Sequence, residues 1–351
     1  MKAKHVHHES RTQQKRRPRL RTVHLALLMI GAHVSLPLAA APGKFNPLDP
    51  LGYTAKKREA VAGIPNIEIA PGDWGRASLR EIRMLLESVA EEFVPLVDSP
   101  RVEALSIRVI PRSGSPKVLY EQRHDDEYVV QLTARDDRWY QYAYQFAHEL
   151  CHVFSNFDHK DRLDEGVSEQ NQWFEESLCE TASLYTLKRL AQKWETEPPT
   201  RNWVGYDQLM SGYVRRLLSE SHRYLDARQS FKAWFADNAP ALQGDPYLRE
   251  KNELVATTML PLFEDNPEFW RSIKYLNPQT ASAGKTFAGY VQDWLNASPD
   301  KRLPRAVADM FGLSMDAVTG STAQEGLGAS PSVPASETKP SPRTISGPNG
   351  E

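Results

Sequence analysis

The sequence predicts an α+β fold in which a mixed N-terminal lobe is followed by a mainly helical C-terminal lobe. Three observations carry this. Residues 78–97 place Leu79, Ile82, Leu85, Leu86, Val89, Phe93 and Val97 on one stripe with the 3.6-residue period of a helix. Three short β-type runs follow, at 105–110, 118–122 and 128–133, separated by Pro, Gly and Ser and by the acidic turn His124-Asp125-Asp126. Beyond residue 203 the pattern is helical at 204–224, 230–238, 247–262, 267–276, 287–295 and 303–311, with breaks at Pro, Gly and Asn.

Taken in order, the chain begins with eight Lys or Arg in residues 1–22 against one acid, Glu9. An apolar stretch at 23–41 follows and closes on Ala39-Ala40-Ala41. This is the layout of a secretory signal peptide, expected at 1–40, and Gly31, His33 and Pro37 interrupt it too soon for a membrane span. The expected location is secreted or periplasmic, the alternative being an uncleaved N-terminal membrane anchor. An N-terminal extension is expected at 41–75, the mixed lobe at 76–192 and the helical lobe at 203–315. The loop between the lobes is Glu195-Thr196-Glu197-Pro198-Pro199-Thr200. Residues 316–351 are expected to form a disordered tail, since 321–351 holds five Pro, six Ser and four Gly but no aromatic residue.

Within the mixed lobe, Pro100 stops the first helix. The run Tyr128-Val129-Val130-Gln131-Leu132 reads equally well as a sheet edge lining a cleft and as an interior strand. The next helix carries His148-Glu149-Leu150-Cys151-His152. Positions i and i+4 share a helix face, so the two imidazoles project one turn apart, the arrangement that grips one zinc ion. Glu149 lies about 100° round the helix, where it can take a proton from a water in the open coordination position. Phe146, Ala147, Leu150, Cys151, Val153 and Phe154 are uncharged, as expected of a buried helix. Asp136 and Asp137 can cap its start, and Asn156 can end it.

A third ligand is needed, and two candidates compete. Glu176 lies on a helical pattern at 173–190 and shares a face with Glu180, at i+4. Glu180 can then accept the second ring N–H of a ligating histidine. Asp158, with His159 beside it, would need a sharp reversal after His152, and Ser155 stands where such a turn wants glycine. Glu176 is the stronger candidate.

His148-Glu149-x-x-His152 followed by Trp173-Phe174-Glu175-Glu176-Ser177-Leu178-Cys179-Glu180 resembles the active-site core of gluzincin-clan zinc metallopeptidases, the thermolysin-like enzymes and zinc aminopeptidases. The likeness covers residues 139–190, and Glu175 stands where that clan has Asn. It implies a zincin-like catalytic lobe and one Zn²⁺ per chain on His148, His152 and Glu176. Glu149 would be the general base and Glu180 the partner of a ligand histidine. It also implies a Tyr or His beyond the third ligand as oxyanion donor, a place that Tyr206, Tyr213, His222 and Tyr247 fill equally well. The Gly-x-Met-Glu-Asn sequence that reads a substrate amino terminus in the aminopeptidases is absent before the motif.

The function expected is therefore that of an exported zinc-dependent endopeptidase in which Glu149 activates the water on zinc, with a peptide or protein as substrate. The alternatives are a restricted exopeptidase or processing peptidase, and a zinc-stabilised extracytoplasmic binding protein without turnover. The full chain has formal charge −2; without 1–40 it keeps 35 basic against 44 acidic residues, near −9. That leaves no electrostatic footprint for nucleic acid. Both cysteines, Cys151 and Cys179, flank ligand positions, and in an oxidising compartment a disulfide between them would clamp the two helices.

Overall fold

The computed structural model describes residues 63–119, 127–162 and 170–315, without the side chains of 160–162. The expected signal segment, the tail and the turn at 124–126 lie outside these residues. The fold is α+β, with a small mixed sheet and a majority of helix.

The first helix, α1 (Leu79–Val97), starts at a capping box. The Ser78 hydroxyl accepts from the Glu81 N–H, and the Glu81 carboxylate accepts from the Ser78 N–H. It ends at Asp98 in the left-handed conformation (φ 53°), and its predicted stripe is buried from Ile82 to Val97. Four strands form the sheet: β1 (Asn66–Ile69), β2 (Ser106–Pro111), β3 (Lys117–Val118) and β4 (Glu127–Leu132), in the order β1-β2-β4-β3. The pairs β1–β2 and β2–β4 are parallel, with Ser106 opposite Glu127, while β3 runs antiparallel to β4 with Val118 opposite Val130. β4 is thus interior, and the short β3 is the edge beside it. β1 falls in the segment read from sequence as a plain extension.

The sheet leads directly into α2 (Trp139–Phe154). Gln145 on that helix accepts the N–H groups of Thr133 and Ala134 through its side-chain oxygen, tying the helix to the end of β4. Neither Asp136 nor Asp137 caps α2. Arg138 holds the N-cap position without a side-chain bond, and Asp136 accepts the Arg76 N–H instead. Asn156 does end it, at φ 56°. Next comes α3 (Gln172–Trp194), buried along nearly its whole length because α1, α2, α4 (Tyr206–Leu218) and α6 (Arg249–Asp265) surround it.

The predicted helix at 204–224 is in fact α4 followed by a 3₁₀ turn at Ser221–Arg223. The segment Pro267–Tyr275 is 3₁₀ rather than α. The remaining helices are α5 (Phe231–Gly244), α7 (Phe287–Ala297) and α8 (Arg302–Phe311). Trp173 and Phe174 of α3 meet Phe235, Phe287 and Phe311 in an aromatic cluster, and Trp194 stacks on Trp203 at 5.0 Å. The hydrophobic core is therefore continuous from Ile67 to Phe311, across the loop at 195–200. Among the described residues, no helix is long and apolar enough to cross a membrane.

Candidate metal centre

The α2–α3 contact brings two histidines and a carboxylate together. His148 and His152 lie one turn apart with ring centroids 5.0 Å from each other. Glu176, from α3, places Oε2 3.1 Å from His148 Nε2 and Oε1 3.6 Å from His152 Nε2. One ligand atom from each of the three lies within 4.8 Å of the others, so the group can hold a metal ion. Two imidazole nitrogens and a carboxylate oxygen, with cavity space in front of them, form a donor set that suits Zn²⁺. Asp158 and His159 stand apart from this grouping. Asp158 is buried in the 3₁₀ turn after α2, and His159 Nδ1 bonds the Asn277 carbonyl.

Two of the three are held from behind. Gln172, one turn before Glu176, donates to its Oε1 at 2.7 Å. His152 Nδ1 bonds Glu175 Oε1 at 2.7 Å, and Glu175 is fully buried. The same carboxylate accepts from Ser155 Oγ at 3.0 Å and from Asn277 Nδ2 at 2.9 Å. Asn277 is fixed in turn by the Tyr290 hydroxyl on its Oδ1 at 2.8 Å. Burial lowers the His152 pKa, but the charges of Glu176 and Glu175 outweigh that and hold it well above the usual histidine value.

Here the structure corrects the expectation for Glu180. Its carboxylate does not accept a histidine N–H; it accepts the Tyr144 hydroxyl and, at 3.0 Å, Arg223 Nη2. The histidine partner is Glu175, the position at which this chain departs from the clan it resembles. Glu180 lies one turn beyond Glu176 on α3, and Tyr144 lies one turn before His148 on α2, so these two side chains pair with each other.

Glu149 is only 2% exposed and faces a cavity of about 860 Å³ that His148, Glu176, Val118, Tyr247 and Arg249 also line. Burial pushes its carboxyl up, the neighbouring imidazoles pull it down, and the Val118 N–H donates to it. A carboxylate so placed can exchange a proton with a molecule in the cavity. Of the four expected oxyanion donors, Tyr247 borders the cavity and the others do not. Tyr206 donates to the Asp137 carbonyl at 3.0 Å. Tyr213 packs against the rings of Tyr140 and Tyr144, and burial pushes its hydroxyl pKa up to about 12. His222 pairs with Glu253 and Glu220. Those three also come within 4.8 Å of one another, yet Arg223 and Arg249 already neutralise their carboxylates.

Cys151 and Cys179 are buried free thiols within hydrogen-bonding reach of each other, so the expected disulfide clamp is absent. Sequence reading gave no role to Glu175, Gln172, Tyr144, Arg223 or Asn277. Helical spacing offered a signal for two of them, since Gln172 precedes Glu176, and Tyr144 precedes His148, by four residues. In comparison with known proteins, no family model matches this chain and no curated sequence is significantly similar to it.

Proposed function

We propose that the chain is an exported zinc-dependent endopeptidase with a zincin-like catalytic lobe of the gluzincin kind. One observation carries the reading: Glu149 and the His148–His152–Glu176 group border the same cavity, next to the edge strand β3. His148, His152 and Glu176 would hold the ion. When bound, the ion supplies Lewis-acid polarisation of a carbonyl and lowers the pKa of nearby water.

The chain's own residues do the rest. An extended peptide can add to β3 by main-chain hydrogen bonds, which brings its backbone across the cavity. Glu149 takes the proton from the attacking water and returns it to the departing amine. Its burial favours this, because a carboxylate of ordinary acidity would be a weaker base. Tyr247, on the cavity wall, can donate to the oxygen that gains charge. The signal-like layout of residues 1–40 supports export, and the acidic balance of the rest of the chain offers no electrostatic footprint for nucleic acid.

The test is metal content and peptide hydrolysis in two variants. Glu149→Gln is expected to keep one zinc per chain and lose hydrolysis, while His148→Ala loses both. Zinc retained in His148→Ala, or undiminished turnover in Glu149→Gln, refutes the proposal. A wild type that binds zinc and cleaves no peptide would instead be a binding protein.

A further inference from the structure

A segment far along the chain from the metal ligands, 274–285, is tied to the ends of both ligand helices. Asn156, which ends α2, donates its amide to the Lys274 and Leu276 carbonyls at 2.7 and 2.9 Å. Asn171, at the start of α3, donates to the Ala283 and Lys285 carbonyls at 3.1 and 2.8 Å. Between these anchors sits Asn277, only 1% exposed and in the left-handed conformation (φ 50°) that asparagine tolerates better than most residues. Its amide nitrogen donates to the Ser155 carbonyl at 3.0 Å and to Glu175 Oε2 at 2.9 Å. Its oxygen accepts the hydroxyl of buried Tyr290, on α7, at 2.8 Å.

We propose that Asn277 and Tyr290 are positioning residues of the metal centre. Acting through Glu175, they set the His152 ring so that Nε2 faces the ion, and this part of the chain thereby contributes to zinc affinity. The proposal rests on the zinc-binding part of the reading above and not on the reaction.

The lever is the carboxylate plane of Glu175. The terminal torsion of a glutamate is broad, so one contact on Oε1 does not fix which way its lone pairs point. Oε1 meets His152 Nδ1 at 2.7 Å, and the second hold, on Oε2, stops the group from rotating. Asn277 can supply that hold only with its N–H₂ turned inward. Two acceptors and one donor agree on this orientation, and the donor is Tyr290. The bond from Asn277 to Glu175 ends on a charged acceptor in a buried place, where such bonds are strongest.

Zinc affinity of the full chain, read by competition with a chromophoric chelator, tests this. Substitution by Co²⁺ adds a visible spectrum that reports ligand geometry. Tyr290→Phe keeps the ring and deletes one donor. It is expected to bind zinc about two- to tenfold more weakly, the range of one hydrogen bond. Asn277→Gly keeps the left-handed backbone and is expected to lose about ten- to a hundredfold. The Co²⁺ bands should shift in both variants. The losses should also be interdependent. In a Glu175→Gln background the new amide faces the Asn277 N–H₂, and removing the Tyr290 hydroxyl makes it easier for Asn277 to turn its oxygen inward. Tyr290→Phe should therefore cost less zinc affinity there than in the wild type.

A merely structural role would lower urea stability and leave zinc affinity and the Co²⁺ spectrum unchanged. That result in Tyr290→Phe overturns the proposal, whether or not Asn277→Gly folds. Losses that simply multiply with Glu175→Gln overturn it too. A wild type that binds no zinc removes it together with the metal centre. The expected zinc pattern without any peptide hydrolysis supports it and counts against the peptidase reading alone.

Discussion

Glu175 bonds His152 Nδ1 at 2.7 Å, and this one contact fixes which ring nitrogen faces Glu176 and His148. A carboxylate is required there because both of its oxygens accept. Oε1 takes His152 and Ser155, while Oε2 takes the Asn277 amide. Glu175→Gln preserves shape but turns an N–H₂ toward Asn277, which cannot flip because Tyr290 holds its oxygen. The variant is expected to weaken zinc binding about ten- to a hundredfold and to lose about 1–3 kcal/mol of stability. Competition with a chromophoric chelator and urea unfolding measure the two effects. Wild-type values for both would show that Glu175 is a passive neighbour.

That contact also marks where sequence reading stops. Helical spacing was enough to place His148 and His152 on one face of α2, and Glu176 with Glu180 on one face of α3, because i to i+4 is a local relation; that Glu176 meets the histidines was implied by the resemblance and not by spacing. Asn156 at the end of α2 was a local signal too. Glu175 was not legible, since its role depends on how α3 crosses α2 and on Asn277, 102 residues away. β1 is four residues long and finds its parallel partner forty residues on, so its short alternation at 66–69 had no nearby confirmation. The Tyr128–Leu132 run was balanced between edge and interior for the same reason. Only its pairing with the two-residue β3 settles its place.

In the metal-free protein the His152 imidazole is held protonated by Glu176 and Glu175, against the effect of burial. A group whose folded pKa is raised stabilises the fold below the unfolded value, about 6.5. That contribution is lost as pH rises through the folded value. An entering ion needs the Nε2 lone pair, so the proton must leave. Zinc binding near pH 7 is expected to release on the order of one proton, with affinity falling about tenfold per unit of acidification. Titration calorimetry in two buffers of different ionisation enthalpy reads this directly; equal heats in both would mean that no proton moves.

Cys151 and Cys179 are wholly buried, and burial, reinforced by the Cys151 thiol, pushes the Cys179 pKa well above its usual value. A thiol that is neither exposed nor ionised reacts slowly with alkylating agents. The native protein is expected to take up no iodoacetamide within minutes, and two labels per chain after unfolding without reductant. Fewer than two labels in the unfolded, unreduced sample would show that the purified chain carries the disulfide after all.

Arg223 makes the sharpest stability prediction, because its charge is fully buried and serves Glu180 and Glu253 at once. Burial by itself pushes the Glu180 carboxyl up, but Arg223 and the Tyr144 hydroxyl outweigh it and hold the carboxyl below its ordinary value. A depressed folded pKa stabilises the fold above the unfolded value, about 4.3. In the wild type that support disappears as pH falls through the folded value. Arg223→Met removes the compensating charge and leaves burial in command, so the Glu180 pKa should rise above its unfolded value. The sign then reverses, and mild acid now stabilises the variant by protonating the stranded carboxyl. The expected cost is about 3–5 kcal/mol at neutral pH, shrinking by more than 1 kcal/mol at pH 5, roughly one pKa unit's worth. Urea unfolding of both proteins at the two pH values checks this. A deficit of equal size at both would mean that Arg223 acts through packing and not through the Glu180 charge.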